Sequence, residues 1–260
     1  GNLTLQGYSY AASGSGRGVD LNNDVIAASG TVSMSGQHNT GATYALSLSG
    51  STSITAGTGV TLESLNDNTG TIALLSSGGI DGGSGTVLMR AANYAFGGAD
   101  RTITTTGVLT IEPDADENSF ASSFDNQYLN PVSVTGLTLG KSSNASAITL
   151  SRAISLSGPV SIYGGSIDVN ANITANSGNI LLDADTGSTL NQSSTGILLD
   201  DVITIETVTS GNLTLIGRSG DTGSGFDGID ASSANTTTLR SAGNLTLQGY
   251  SYAASGSGRG

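Results

Sequence analysis

The 260-residue sequence has a formal charge of −12, with 11% charged and 5% aromatic residues, 39 glycines and no cysteine or tryptophan. The acidic balance repels polyanions, which excludes nucleic acid and anionic membrane surfaces as partners; lack of cysteine excludes disulfides and thiolate metal sites. Low charge with 36% hydrophobic residues does not fit disorder, and no apolar stretch approaches the roughly 18 residues of a membrane-spanning helix, so no membrane insertion is expected.

In chain order, short alternating segments are separated by glycine: residues 2–6 (NLTLQ), 31–35 (TVSMS), 45–49 (ALSLS), 60–64 (VTLES), 71–75 (TIALL), 86–90 (TVLMR), 101–105 (RTITT) and 108–112 (VLTIE). The rhythm breaks at 113–131, PDADENSFASSFDNQYLNP, and resumes at 137–140 (LTLG), 147–150 (AITL), 153–157 (AISLS), 160–163 (VSIY), 166–170 (SIDVN), 179–183 (NILLD), 202–206 (VITIE) and 212–215 (NLTL). Apolar residues recur mainly at every second position, the period of a strand with one buried face. No stretch follows the helical period of 3.6.

Self-similarity organises these segments. Residues 243–260 repeat residues 1–18, GNLTLQGYSYAASGSGRG, letter for letter, an offset of 242 from Gly1 to Gly243. Residues 211–230 are a diverged copy of 1–20, keeping Gly-Asn-Leu-Thr-Leu, Gly217, Ser219, Gly228 and Asp230. The expected organisation is one continuous segment over 1–260, made of a 242-residue unit (1–242) and the first 18 residues of the next (243–260), with a loop excursion at 113–131. Sandwiches and closed barrels need hairpins and broad, aromatic-filled cores. Strands this short, with few aromatics, suit a solenoid whose turns stack in register, and the Gly-Asn steps at Gly1, Gly178, Gly211 and Gly243 suit its corners. At about 20–30 residues per turn, a unit makes about ten turns and on the order of 50 Å of stack.

The stretch GPVSIYGGSIDVNANITANSGNILLDADTG at 158–187 resembles repeats of filamentous-haemagglutinin-like proteins of Gram-negative bacteria, as do GNLTLQG, GVLTIEP at 107–113 and TGLTLGKSSNASAITLSRAISLSGPV at 135–160. That resemblance implies an all-β, right-handed parallel β-helix (β-solenoid), export through an outer-membrane partner pore, and a life as an extracellular or cell-surface adhesin. Near-identity of the long repeat and the absence of the family's amino-terminal secretion domain depart from the usual picture.

Chemical constellations are sparse. β-Helical pectin hydrolases carry Asn-Thr-Asp, Asp-Asp, Gly-His-Gly and Arg-Ile-Lys signatures; here only the Asp200–Asp201 pair occurs, and neighbours on a strand face opposite ways. His38 is the only histidine, read as an exposed loop residue, which leaves neither a triad nor a histidine metal cluster. Asp114, Asp116, Asn118 and Asp125 follow a calcium-loop spacing, but Ser119 stands where that loop needs glycine; GFDGI at 225–229 echoes a calcium β-roll without its nine-residue repetition. Calcium binding and a solvated excursion both remain open for this run. Phe120, Phe124 and Tyr128 either decorate a surface knob or fold down onto the strands, and Tyr8 and Tyr10, with Tyr250 and Tyr252, form a stripe on one face. The threonine-rich runs at 102–106 and 235–239 lack the equal-length coils an ice-binding face requires. No catalytic, cofactor-binding or metal residue is assigned and no cofactor is expected. The function read from the sequence is a structural and adhesive segment of an exported bacterial surface fibre, its partners adjacent copies of the repeat and a host, neighbouring-cell or carbohydrate surface. A filament subunit stacking end to end is the alternative, and a polysaccharide-active enzyme a remote one.

Overall fold

A strand with one apolar face must cover that face and pair its edges, and winding the chain into stacked turns does both. The computed structural model describes residues 1–10, 16–38, 44–65, 69–75, 78–114, 117–184, 194–220, 225–231, 236–252 and 258–260. The chain forms two compact units, Gly1–Ser122 with Tyr128–Thr135, and Ser123–Gln127 with Gly136–Gly260. Each unit is a parallel β-solenoid. Among the described residues there is no helix, and every strand pairing is parallel.

In the first unit three ladders recur in chain order. The first stacks Leu3–Ser9, Val32–His38, Gly59–Ser64, Thr86–Arg90 and Val108–Glu112. The second stacks Arg17–Asn22, Tyr44–Ser49, Thr71–Leu74 and Asn93–Phe96; the third stacks Val25–Ala28, Ser53–Ala56, Ile80–Asp81, Arg101–Thr104 and Leu129–Pro131. Register turns alternation into columns. Val32, Val60, Val87 and Leu109 lie over one another, as do Met34, Leu62, Met89 and Ile111, and all eight are buried. Full burial of each such side chain contributes about 1.5–3 kcal/mol.

The second unit repeats the plan. Its first ladder stacks Gly136–Leu139, Val160–Gly164, Ile180–Ala184, Leu213–Arg218 and Leu245–Tyr250. Its second holds Phe124–Asp125, Ile148–Leu150, Ile167–Val169, Ile197–Leu199 and Ile229–Asp230, and its third holds Ile154–Leu156, Ile173–Ser177, Thr204–Ser210 and Thr238–Arg240. One turn takes 20 residues from Val160 to Ile180 and 33 from Ile180 to Leu213. The first ladder keeps its register across that difference, while the third shifts by a bulge between Ala175 and Ser177.

Two kinds of corner account for the sequence repeat. At Gly178 and Gly211 the backbone has φ of +124° and +113°, a conformation that glycine adopts without strain. The following asparagines form a side-chain ladder: Asn179 Oδ1 accepts from Asn212 N–H and Asn212 Oδ1 from Asn244 N–H, each at 2.8 Å. At the other end of the strands, Gly7 pairs with Gly36 and Gly217 with Gly249. A Cβ on Gly36 would lie 1.9 Å from the Ala45 carbonyl oxygen, and one on Gly217 1.9 Å from that of Gly228. The chain turns there against its own next strand.

The core includes a charged residue, Arg101. Arg101 opens the strand Arg101–Thr104 in phase with Ile103, and its side chain is fully buried. Its guanidinium donates to the carbonyls of Thr52 (3.2 Å), Gly78 (2.5 Å) and Leu48 (3.3 Å), tying corners of earlier turns to its own. Burial lowers its pKa to about 10, so it stays cationic at neutral pH. Arg101→Leu removes the donor to the Thr52 and Gly78 carbonyls, while Leu48 O keeps Leu75 N–H, and is expected to lower unfolding stability by about 3 kcal/mol in urea titrations, with Arg101→Lys intermediate; unchanged stability in Arg101→Leu would refute the clamp. Gly36→Ala is expected to cost about 2–3 kcal/mol by the same assay, through forced backbone displacement.

Candidate functional surfaces

The outward faces carry the remaining chemistry, because the interior columns are almost wholly aliphatic. His38, expected in an exposed loop, is instead the last residue of Val32–His38, paired with Ser9 and only 7% exposed. The alternation Val32, Met34, Gly36, His38 continues through a glycine that has no side chain to mark the phase. Beside it a cavity of about 210 Å³ is lined by Tyr8, Ser9, Tyr10, Gln37 and His38. Among the described residues no carboxylate lines it, and no group of three or more His, Cys, Asp or Glu side chains that could hold a metal occurs.

Of the residues with calcium-loop spacing, three lie among the described residues. Asp116 lies outside the described residues. Asp114 is buried and its backbone carbonyl accepts from Glu117 N–H. Asp125 sits in the short strand Phe124–Asp125, its carboxylate accepting from Gln127 N–H at 3.0 Å and Ser151 Oγ at 3.1 Å. The stretch read as a loop excursion is in part ladder: Phe124–Asp125 and Leu129–Pro131 are strands. Phe120 and Phe124 are buried. Phe120 meets Tyr94 edge-on at 5.9 Å between ring centroids, and Tyr128 meets Phe96 at 6.5 Å. These aromatics fold down rather than decorate a knob.

Asp200 and Asp201 are exposed in the corner after Ile197–Leu199. They act on Asp168, which is half-buried in the strand Ile167–Val169. Burial first, then the charges of Asp200, Asp125 and Asp201, raise the Asp168 pKa, against a 3.1 Å hydrogen bond from Asn170 Nδ2 that lowers it. Its other oxygen, Oδ1, has no hydrogen-bond partner. The arrangement carries a mild electrostatic cost.

Cross-strand ion pairs line the outer faces, in register at Arg90 and diagonally at Arg218. Arg90 bonds Glu112 at 2.5 Å and lies 3.9 Å from Glu63, and Arg218 bonds Asp183 at 2.7 Å. Arg90, at 35% side-chain exposure, has its pKa raised chiefly by the Glu112 hydrogen bond. Such exposed pairs contribute at most about 1 kcal/mol each but reward one register. The tyrosine stripe faces outward: Tyr8 and Tyr10 are 48% and 82% exposed, and Tyr250 and Tyr252 stack at 6.4 Å, with Arg218 over the Tyr250 ring at 5.9 Å.

The most distinctive surfaces are two strand edges. Leu3–Ser9 and Leu245–Tyr250 are terminal in their ladders, each paired on one side among the described residues. Leu213 and Leu215 are completely buried, whereas their column-mates Leu245 and Leu247 are 48% and 51% exposed. No protein-family model, curated protein or solved structure matches the chain.

Because folded Asp168 holds its proton more tightly than the unfolded chain, stability falls as pH rises from the ordinary carboxylate range through the raised pKa. Asp168→Asn is therefore expected to melt above the parent at pH 7, by less than about 1 kcal/mol given solvent screening, and to lose the advantage at pH 3. A variant that melts no higher than the parent at pH 7 would refute the assignment.

Proposed function

We propose that the chain is a structural and adhesive repeat segment of an exported bacterial surface fibre, a stiff spacer and contact surface with no enzymatic role. The observation that carries this reading is the 242-residue recurrence of an 18-residue sequence whose strand lies at a ladder edge at each occurrence. A solenoid grows by adding turns, and each unit's stability depends on its neighbours. The resemblance of 158–187 to filamentous-haemagglutinin-like repeats supports placement outside a Gram-negative cell. The outward tyrosines and acidic corners offer a surface for a host cell, a neighbouring cell or carbohydrate. The half-exposed Leu245 and Leu247 favour a second reading, in which separate chains stack as filament subunits.

The size of the native polypeptide separates the two. Denaturing electrophoresis of undigested surface material, probed with an antibody to the 18-residue sequence, is expected to show one chain many units long. A mature chain of a single unit that polymerises alone would favour the subunit reading. Material confined to the cell interior would remove both.

A further inference from the structure

The 18-residue sequence occurs twice, and each occurrence displays the edge that the other hides. At its first occurrence, Leu3–Ser9 pairs forward with Val32–His38, in the register Leu3↔Val32, Thr4↔Ser33, Leu5↔Met34 and Gly7↔Gly36. At its second, Leu245–Tyr250 pairs backward with Leu213–Arg218, in the register Leu213↔Leu245, Leu215↔Leu247 and Gly217↔Gly249.

The glycine nitrogen is used in both places, Gly1 N donating to Ser29 Oγ and Gly243 N to the backward edge; the other hydrogen-bonding groups named below do not overlap. The forward edge uses the Gly1 carbonyl, accepting from Gly30 N–H at 2.9 Å; Asn2 Oδ1, accepting from Thr31 N–H at 3.0 Å; and Leu3 N–H, donating to Thr31 O at 2.9 Å. The backward edge uses Gly243 N–H, donating to Gly211 O at 2.8 Å; Asn244 N–H, donating to Asn212 Oδ1 at 2.8 Å; and the Asn244 carbonyl, accepting from Leu213 N–H at 2.9 Å. One strand can make both sets at once. It would continue the asparagine ladder Asn179, Asn212, Asn244 without a break and place Val32 and Met34 of another copy over the half-exposed Leu245 and Leu247.

We infer that the free edge of Leu245–Tyr250 receives the strand 32–38 of a following copy of the same 242-residue unit, with Leu245 opposite Val32, Thr246 opposite Ser33, Leu247 opposite Met34 and Gly249 opposite Gly36. This deepens the fibre reading and rests on it, by naming the partner and its register. The occupant is a covalently continuous copy because letter-for-letter identity is required of one strand serving both edges. Two different strands that merely met at the ends of separate chains need only similar columns.

The absence of cysteine from the sequence makes a crosslinking test clean. A two-unit chain is made by following Gly260 directly with residues 19–260 of a second copy, carrying Thr246→Cys and, in the second copy, Ser33→Cys. Mild oxidation is expected to crosslink it within one chain as completely as the reference, a single-unit chain with Thr4→Cys and Ser33→Cys, whose positions are paired in this structure. Moving the second cysteine to Gln37 of the second copy, about 13 Å along the strand, is expected to abolish the crosslink. The cysteine-free two-unit chain should unfold in one transition above that of the single-unit chain.

An uncrosslinked junction, or unfolding at the single-unit temperature, overturns the inference. So does a single-unit chain with Thr4→Cys and Thr246→Cys that oxidises into intermolecular oligomers. A sound junction in a protein that never leaves the cell removes the fibre reading alone. A surface fibre whose junction fails to crosslink removes this inference alone.

Discussion

Every feature of the two units follows from holding successive strands in parallel register. In a parallel ladder a residue meets its equivalent in the next turn about 4.8 Å away, so an inward position stays inward through the stack. A slip of one residue would turn Val32, Val60, Val87 and Leu109 outward together, and would also part Arg90 from Glu112. The interior therefore accepts methionine, valine, leucine or isoleucine in a column, since any of them packs on its neighbour, while the phase cannot drift. Turn length is free by comparison: turns of 20 and 33 residues bring Val160, Ile180 and Leu213 into one column.

The corners carry the conformational cost that the strands avoid. A strand that ends against the next strand of its own turn has no room for a Cβ, which is why Gly7 and Gly217 persist between otherwise diverged copies. Asparagine persists beside Gly178 and Gly211 for a different reason. Its amide oxygen reaches the N–H one turn on, which the corner backbone leaves outside the ladder. Arg101 does the same work inside, by donation to the carbonyls of Thr52 and Gly78 between strands and of Leu48 within one. A neutral side chain of that reach could not satisfy acceptors on several earlier turns.

Most of the architecture was legible because alternation and ladder pairing share one cause. The segments at 31–35, 86–90, 108–112 and 179–183 each hold two inward aliphatics, enough to set a phase, and all are strands. Ile80–Asp81, Phe124–Asp125 and Ile229–Asp230 hold one inward residue each, so nothing in the local sequence separates them from loop. Only the turn above or below makes them strands. His38 and Arg101 were misplaced or unremarked for a related reason: a polar residue at a core phase reads as loop or surface until the phase is followed through Gly36 or back from Ile103. The run from Asp114 to Asp125 gave no sign of its end point, since linear spacing does not show that the chain enters a ladder at Phe124–Asp125.

Open ladders leave backbone donors and acceptors at both ends, and folded proteins cover or blunt such edges because any strand can add to them. The edges at Leu3–Ser9 and Leu245–Tyr250 carry no proline and no charged side chain, so neither is blunted by those means. Both have the composition of interior turns, down to the leucines that sit fully buried at Leu213 and Leu215 and half-exposed at Leu245 and Leu247. A surface built like an interior is stable only when something built like the next turn lies on it. In this sequence that something is already written, in the residues that follow position 18.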